Sequence, residues 1–482
     1  MTSKNSSFVS LKFSKLKKYW QEVALTFFAI FYFIYFTAAS FLRYENFFTG
    51  RFDLGNMAQT VWNTAHGNIF RLTDPNGVEE ISRLSIHSDF ILILLSPLYL
   101  IWEDPRTLLL VQTLILTFGG VFVFLISRSV LKNKTISLVF ALCFYLNPLV
   151  NWTNLYDFHA VTLATTFLLA AFYFILRKNW ILTVIFLILA GFSKEQVWII
   201  NALFGLYLIF FQKQKFLGFF IFTISFFIFY ILFWVAIPNA AQGQHFALSF
   251  LSEYGGTPHE VIKSIILNPL MVINTVFAPD RVEYLRQLFL PLGFLSFIAF
   301  PFLVFSTPDL SINLLSGFSP MHQIYYQYSA TITPFIFISA IYAVYFIRKF
   351  VPDVPIHLFS VLILITTLVS AYNFGPTLLA KDPNDAMFRN QLTIRGGVQK
   401  YIDSVPPDLK ISSSNNLGAH LSHRRYIYVL PEGINEADKI LILMRPSSNQ
   451  KEKDVLNFLL ENRQFELEYS LENFYVFKRI IP

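Results

Sequence analysis

The run WQEVALTFFAIFYFIYFTAASFL, residues 20–42, decides the class of fold. Its one charged residue, Glu22, stands near its start, and the run is long enough to cross a bilayer as a single helix. Lys4, Lys12, Lys15, Lys17 and Lys18 precede it. Positive charge on that flank places the N-terminus in the cytoplasm and reads the helix as an uncleaved signal anchor, because the run exceeds the apolar core of an ordinary signal peptide. Thr37-Ala38-Ala39-Ser40 loosely resembles a cleavage site, so removal of the helix is the minor alternative.

The rest of the chain agrees with that class. Of its 482 residues, 55% are hydrophobic and 18% aromatic, more apolar surface than a soluble core can hide. The formal charge of +7 comes from Lys and Arg clustered in short loops beside apolar runs, where orientation explains them and nucleic acid is not implied. Cys143, the single cysteine, excludes an internal disulfide and reads as a small packing residue.

Assigning each apolar run to a crossing gives about ten transmembrane helices. After the first helix, residues 43–106 form a large outer loop containing the apolar segment 89–102, whose length suits an interfacial helix. Runs at 107–127, 135–149, 160–176, 180–193, 197–211 and 216–237 then alternate so that Arg128, Lys132, Lys134, Arg177, Lys178, Lys213 and Lys215 all fall inside. Runs at 284–305, 307–320, 328–347 and 356–372 complete the set, with Arg348 and Lys349 again inside. The expected fold is an all-α polytopic membrane domain over residues 1–375, followed by a small extracytoplasmic α/β domain over 376–482. In that tail, short strand-like runs at 410–411, 426–429, 439–443 and 474–477 flank a helical pattern at 455–460.

This topology puts Asp53, His87, Asp157, His159, Lys194, Glu195 and His322 on the outer face. Ionisable groups at a bilayer edge are costly unless paired, hydrated or functional, so acids and bases gathered near one plane compose a polar site. Each has a plainer explanation. Asp53 precedes the helical spacing Leu54, Met57, Val61, Trp62 and Ala65 and could be its cap. Asp157, His159 and His87 could likewise cap the helices that follow them, and Lys194 with Glu195 could be a hydrated turn. His322, with Tyr325, Tyr326 and Tyr328, could belong to an aromatic interface belt. The functional reading sets Lys194 on a phosphate, with Glu195 as its partner or as a hydroxyl acceptor. The chain contains no nucleotide-binding glycine loop, no metal-spaced Cys or His cluster and no nucleophile elbow.

Phe52-Asp53-Leu54-Gly55 with Gln59, Trp62-Asn63 and His66-Gly67, His87 before Ser96-Pro97-Leu98-Tyr99, Asp157-Phe158-His159, Lys194-Glu195, and Leu417 to Arg424 followed by Tyr428 and Pro431 resemble an uncharacterised family of predicted bacterial and archaeal membrane proteins, a domain of unknown function. The layout is similar to that of the GT-C superfamily of integral-membrane glycosyltransferases. Many of those enzymes carry an acidic pair in the first outer loop, whereas here Asp53 is followed by Leu54 and Gly55. The resemblance implies transfer of a sugar from a polyprenyl phosphate to a glycan, lipid or protein acceptor at the outer face of the plasma (inner) membrane. It implies Asp53 as the base, and Lys194, His87 and His159 as ligands of the donor phosphate. Asp157, Glu195, His322 and Tyr326 would orient these groups or bind sugar hydroxyls. No cofactor or metal site is expected, and a divalent-metal requirement is left open. A secondary transporter using the same charges, or a membrane-anchored assembly protein acting through its tail, are the alternatives.

Overall fold

The computed structural model describes residues 3–446, 448 and 450–480, with side chains from residue 18 onward. Lys4, Lys12, Lys15 and Lys17, on which the reading of a cytoplasmic N-terminus leans, lie outside the described side chains.

Among the described residues five helices are long and apolar enough to cross a membrane: Lys18–Glu45, Arg106–Leu131, Lys215–Ala241, Thr333–Phe350 and Ile356–Phe374. Counting Lys134–Leu146 and Pro148–Leu155, bent by 41° at their junction, as one span gives six. This corrects the expected ten. Helices Ala160–Leu176, Trp180–Gly191 and Val197–Phe210 have 17, 12 and 14 residues. At 1.5 Å per residue the longest reaches roughly 26 Å, against a hydrocarbon core of about 30 Å. The run expected at 284–305 is broken as well. Its helix, Pro279–Phe289, gives way to short tight turns where Pro291 and Pro301 remove backbone donors. Basic turns between apolar runs therefore overcounted crossings, because a run can be apolar by packing inside the bundle.

Local chemistry sets the breaks. Asn133 Oδ1 accepts from the backbone of Thr135 at 2.9 Å and Ile136 at 3.2 Å to start one helix. Asn147 ends that helix and caps the next, whose first residue is Pro148. The buried face of the bundle is continuous from Tyr32 and Phe36 of the first span to Phe335 and Ile338 of Thr333–Phe350. Phe27, Phe31 and Ile34 stay exposed, as do Phe216, Phe219 and Phe227, the surface expected to meet lipid.

The loop after the first span is structured throughout. A wide turn, Arg51–Gly55, closed by the Gly55 N–H on the Gly50 carbonyl at 3.0 Å, runs straight into helix Asn56–Ala65. Strands β1 (Arg71–Thr73) and β2 (Glu80–Ser82) form an antiparallel hairpin, and short helices Ile91–Leu95 and Ser96–Leu100 occupy the apolar segment read as interfacial. The C-terminal part holds a five-stranded sheet, in order β4 (Ile427–Val429), β3 (Ile411–Ser413), β5 (Lys439–Leu443), β7 (Phe474–Arg479), β6 (Phe465–Leu471). The β3 strand is parallel to β4 and β5, while β7 is antiparallel to β5 and β6. Helices Arg395–Asp403 and Gln450–Glu461 each present buried apolar residues, Val398 and Ile402 on one and Val455 and Leu459 on the other, to separate apolar clusters built on this sheet.

Candidate functional site

Sheet and bundle meet on the Asp53 turn. Asn415 Oδ1 accepts from the backbone N–H of Arg51 at 2.9 Å and Phe52 at 3.4 Å. Gly418 lies so close that a Cβ there would stand 2.2 Å from Arg51 Cβ and 2.9 Å from its Cα. The Arg51 side chain is fully buried and donates to Asn56, Gln59 and the Thr73 carbonyl, while Gln59 Nε2 donates to the carbonyls of Arg424 and Arg425 at 2.9 Å each. His420 stacks on Tyr44 with ring centroids 3.8 Å apart, and its Nε2 donates to the Tyr44 carbonyl at 2.9 Å. Burial lowers the His420 imidazole to about 3, so it stays neutral in ordinary buffers.

Asp53 is not a helix cap. It lies within the wide turn with its side chain 30% exposed, and its carboxylate reaches His159 Nε2 at 3.1 Å and the Tyr156 hydroxyl at 3.3 Å. Burial opposes its ionisation, but His159, Tyr156 and the charge of Arg83 outweigh that and hold the carboxyl below the ordinary aspartate value. His159 and Asp157 do not cap the following helix through their side chains either. Asp157 is buried, with φ at +149°, a conformation rare for any residue with a side chain, and its Oδ2 accepts the Gly50 N–H at 3.2 Å. Burial pushes its carboxyl up to about 8; Arg43 at 3.7 Å and the Gly50 N–H pull the other way, and nearby Asp53 adds to the rise. Strain and a displaced protonation equilibrium coincide at one residue. An ionised Asp53 and a neutral Asp157 thus line one cleft of about 370 Å³ between the bundle and the C-terminal sheet.

A second cluster lines a separate cavity of about 280 Å³. Glu195 is buried and accepts from His87 Nδ1 at 2.9 Å and the Ser88 N–H at 3.2 Å, with His245 Nε2 at 3.6 Å. Burial would raise the Glu195 carboxyl, yet His87, His245 and Lys194 carry it well below the ordinary value. Burial lowers the His87 imidazole, while the Glu195 charge and hydrogen bond pull it the other way. Lys194 lines the same cavity, and among the described residues its Nζ makes no ion pair. Buried Asp309 and the rings of Phe229, Phe233, Phe246 and Phe250 complete the walls. Tyr328 also lines this cavity and stands near enough to feel the Asp53 charge, while Tyr326 packs edge-on against Tyr156 at 4.9 Å.

The residues singled out in sequence thus fall into three places. Asp53, Asp157 and His159 come together, with Tyr326 packed behind; His87, Lys194 and Glu195 form the second cluster. His322 joins neither, since its Nε2 lies 3.1 Å from Asp280 on helix Pro279–Phe289. Among the described residues no three His, Cys, Asp or Glu side chains are grouped to hold a metal ion.

A family model matches residues 43–473. The chain belongs to the DUF2079 family of predicted membrane proteins. The DUF2079 match opens at Arg43, at the end of the first span, and closes at Asn473, so it takes in both clusters and the segment docked on the Asp53 turn. No curated protein matches the chain.

Sequence reading passed over Arg43, Tyr156, His245, Asp309, Asn415 and Arg445. Two of them carried a signal: Arg43 is the first charge after the first apolar run, and Tyr156 stands beside Asp157. The others sit in stretches whose composition is ordinary for loops and helix starts.

Proposed function

We propose that this DUF2079 protein is an integral-membrane glycosyltransferase that moves a sugar from a polyprenyl phosphate to an acceptor at the outer face of the plasma membrane. In this reading its N-terminus is cytoplasmic and residues 376–482 lie outside. The observation that carries it is the pairing of a low-pKa carboxylate, Asp53 held by His159 and Tyr156, with a nearby cavity that joins the Lys194 ammonium, which makes no ion pair among the described residues, to phenylalanine walls. A lipid phosphate has the complementary chemistry of one anionic head and an apolar tail. The GT-C superfamily resemblance points the same way.

The reaction needs one bond formed and one broken at the anomeric carbon. The acceptor oxygen attacks it and gives its proton to Asp53, while the bond to the phosphate oxygen breaks and its electron pair leaves with the lipid phosphate. Lys194 meets the charge gained by that phosphate, where a fixed cation lowers the barrier. Glu195 and His87 hold the turn that presents Lys194. One displacement gives inversion.

Purified protein in lipid, supplied with radiolabelled polyprenyl phosphate sugars, tests this reading. Asp53→Asn is expected to lower transfer about 10²- to 10⁴-fold with the protein still folded, and Lys194→Ala to lower it by at least about tenfold. The buried Asp309 beside Lys194 favours one rival, a secondary transporter with a charge relay. Absence of transfer across the donor panel, with saturable solute uptake into sealed vesicles, would establish that rival instead.

A further inference from the structure

The cleft that ends on Asp53 has a chemistry of its own. No aliphatic side chain lines it, and its apolar surface is aromatic, from Phe47, Phe48 and Tyr156. Among its other walls, which include Asn416 and Glu452, several donors and acceptors have bonding capacity left. Arg445 donates one N–H to the Asn46 carbonyl and lies 4.5 Å over the Phe48 ring, but its Nε has no partner among the described residues. Among the described residues Arg43 Nε and Thr49 Oγ1 are also buried without hydrogen bonds, as is Asp157 Oδ1, whose nearest charge is the Arg43 guanidinium at 3.7 Å, and both Asp157 and Thr49 are more than nine-tenths buried. Asn415 uses its Oδ1 on the Asp53 turn, leaving its amide N–H groups, and the Ser448 Oγ accepts from the Arg445 N–H, leaving its own proton.

Unmade hydrogen bonds at buried polar atoms are expensive, and a ligand supplying their partners recovers that cost. The ligand must both donate and accept at several adjacent positions, because groups that can accept (the Asp157 carboxyl, the Thr49 hydroxyl) and groups that only donate (Arg43, Arg445 and the Asn415 amide N–H) are interspersed. A lipid offers one polar end. A sugar ring offers hydroxyls that do both around its edge, with a C–H face suited to an aromatic side chain such as Phe48. The volume, about 370 Å³, lies within the range of small-ligand sites.

We propose that this cleft binds a carbohydrate, held by Arg445 and Asn415 with a hydroxyl directed toward Asp53. Resting on the transferase reading above, this makes the acceptor a sugar unit that enters from the aqueous side between bundle and sheet. The ring contacts Tyr156–Tyr326–Tyr328 run from this cleft to the donor cavity, so the sugar on the donor phosphate and the acceptor hydroxyl meet beside them.

Saturation-transfer NMR on the full chain in lipid nanodiscs, with methyl glycosides of glucose, mannose, galactose and N-acetylglucosamine as probes, tests it. At least one glycoside is expected to bind, with affinity at least about tenfold weaker in Arg445→Ala, the loss expected for a hydrogen bond to a charged group. Arg445→Lys should recover part of it. Ser448→Phe, which fills the cleft without touching the Asn46 contact, should abolish binding even if Arg445→Ala does not fold. Dodecyl phosphate should not compete. Absence of binding to every glycoside, unchanged binding in Ser448→Phe, or displacement by dodecyl phosphate would each overturn the assignment. Glycoside binding without any transfer from a polyprenyl donor would keep the cleft's ligand and remove the transferase, whereas transfer onto a lipid or protein with no glycoside bound would do the reverse.

Discussion

Asp53 and Asp157 face one cleft with opposite proton affinities, and this separates their pH signatures. Asp53, held below the ordinary aspartate value, contributes stability through His159 that is present above its unfolded pKa and lost as pH falls through the folded one. Asp157, raised to about 8 from 3.8, binds a proton in the fold that the unfolded chain has released. Its contribution therefore falls as pH rises from about 4 to about 8, by at most about 1.4 kcal/mol per pH unit. Asp157→Asn removes that slope while an amide oxygen can still accept the Gly50 N–H. Melting curves from pH 5 to 9 should show wild type losing stability with rising pH and Asp157→Asn losing less; parallel curves would refute the neutral Asp157. These residues were legible in sequence because an acid or base beside a long apolar run is rare enough to notice. Their partners were not: Asn415 meets the Arg51 backbone across 364 residues, and no local spacing encodes such a meeting.

Among the elements, the wide turn Arg51–Gly55 and the segment from Asn415 to Arg425 form one unit. The turn's first two N–H groups have Asn415 as their acceptor, and its register against helix Asn56–Ala65 is held from below by buried Arg51. Asn415→Ala is expected to cost about 1–3 kcal/mol, the price of leaving partly buried donors unmet. Under the transferase reading it lowers kcat more than it changes KM for donor, because it moves the base and leaves the Lys194 cavity alone. Gly418→Ala should be more damaging, since the added methyl meets Arg51 backbone, and limited proteolysis should then cut between the bundle and the sheet faster than in wild type. Helix Asn56–Ala65, helix Gln450–Glu461 and strands β3, β4, β5 and β7 were readable from periodicity and composition, whereas β1, β2 and helix Arg395–Asp403 were not. Strand β6 was missed because Phe465–Leu471 carries Glu466 and Glu468 on a sheet edge, where an exposed face needs no apolar alternation.

At the scale of the whole molecule, membrane character was plain from composition, whereas the number of crossings was not. Apolar helices such as Ala160–Leu176 are buried almost all round by protein, so their hydropathy records the bundle interior as much as lipid. Cys143 is the single cysteine and is buried, which makes the natural chain a silent background for mapping. Under the proposed orientation, Ser448→Cys should react with a membrane-impermeant maleimide in intact cells, while Lys213→Cys should react only after lysis; the opposite pattern would invert the topology. The fastening of the Asp53 turn to Asn415, Gly418 and Arg424 also sets an order of events during synthesis. Tyr156 and His159, the partners of the Asp53 carboxylate, follow it by 103 and 106 residues, whereas Asn415 follows the Arg51 backbone it holds by 364. A nascent chain cut short between those two stages carries Asp53 with its Tyr156 and His159 partners but without the acceptor that fastens the backbone of its turn.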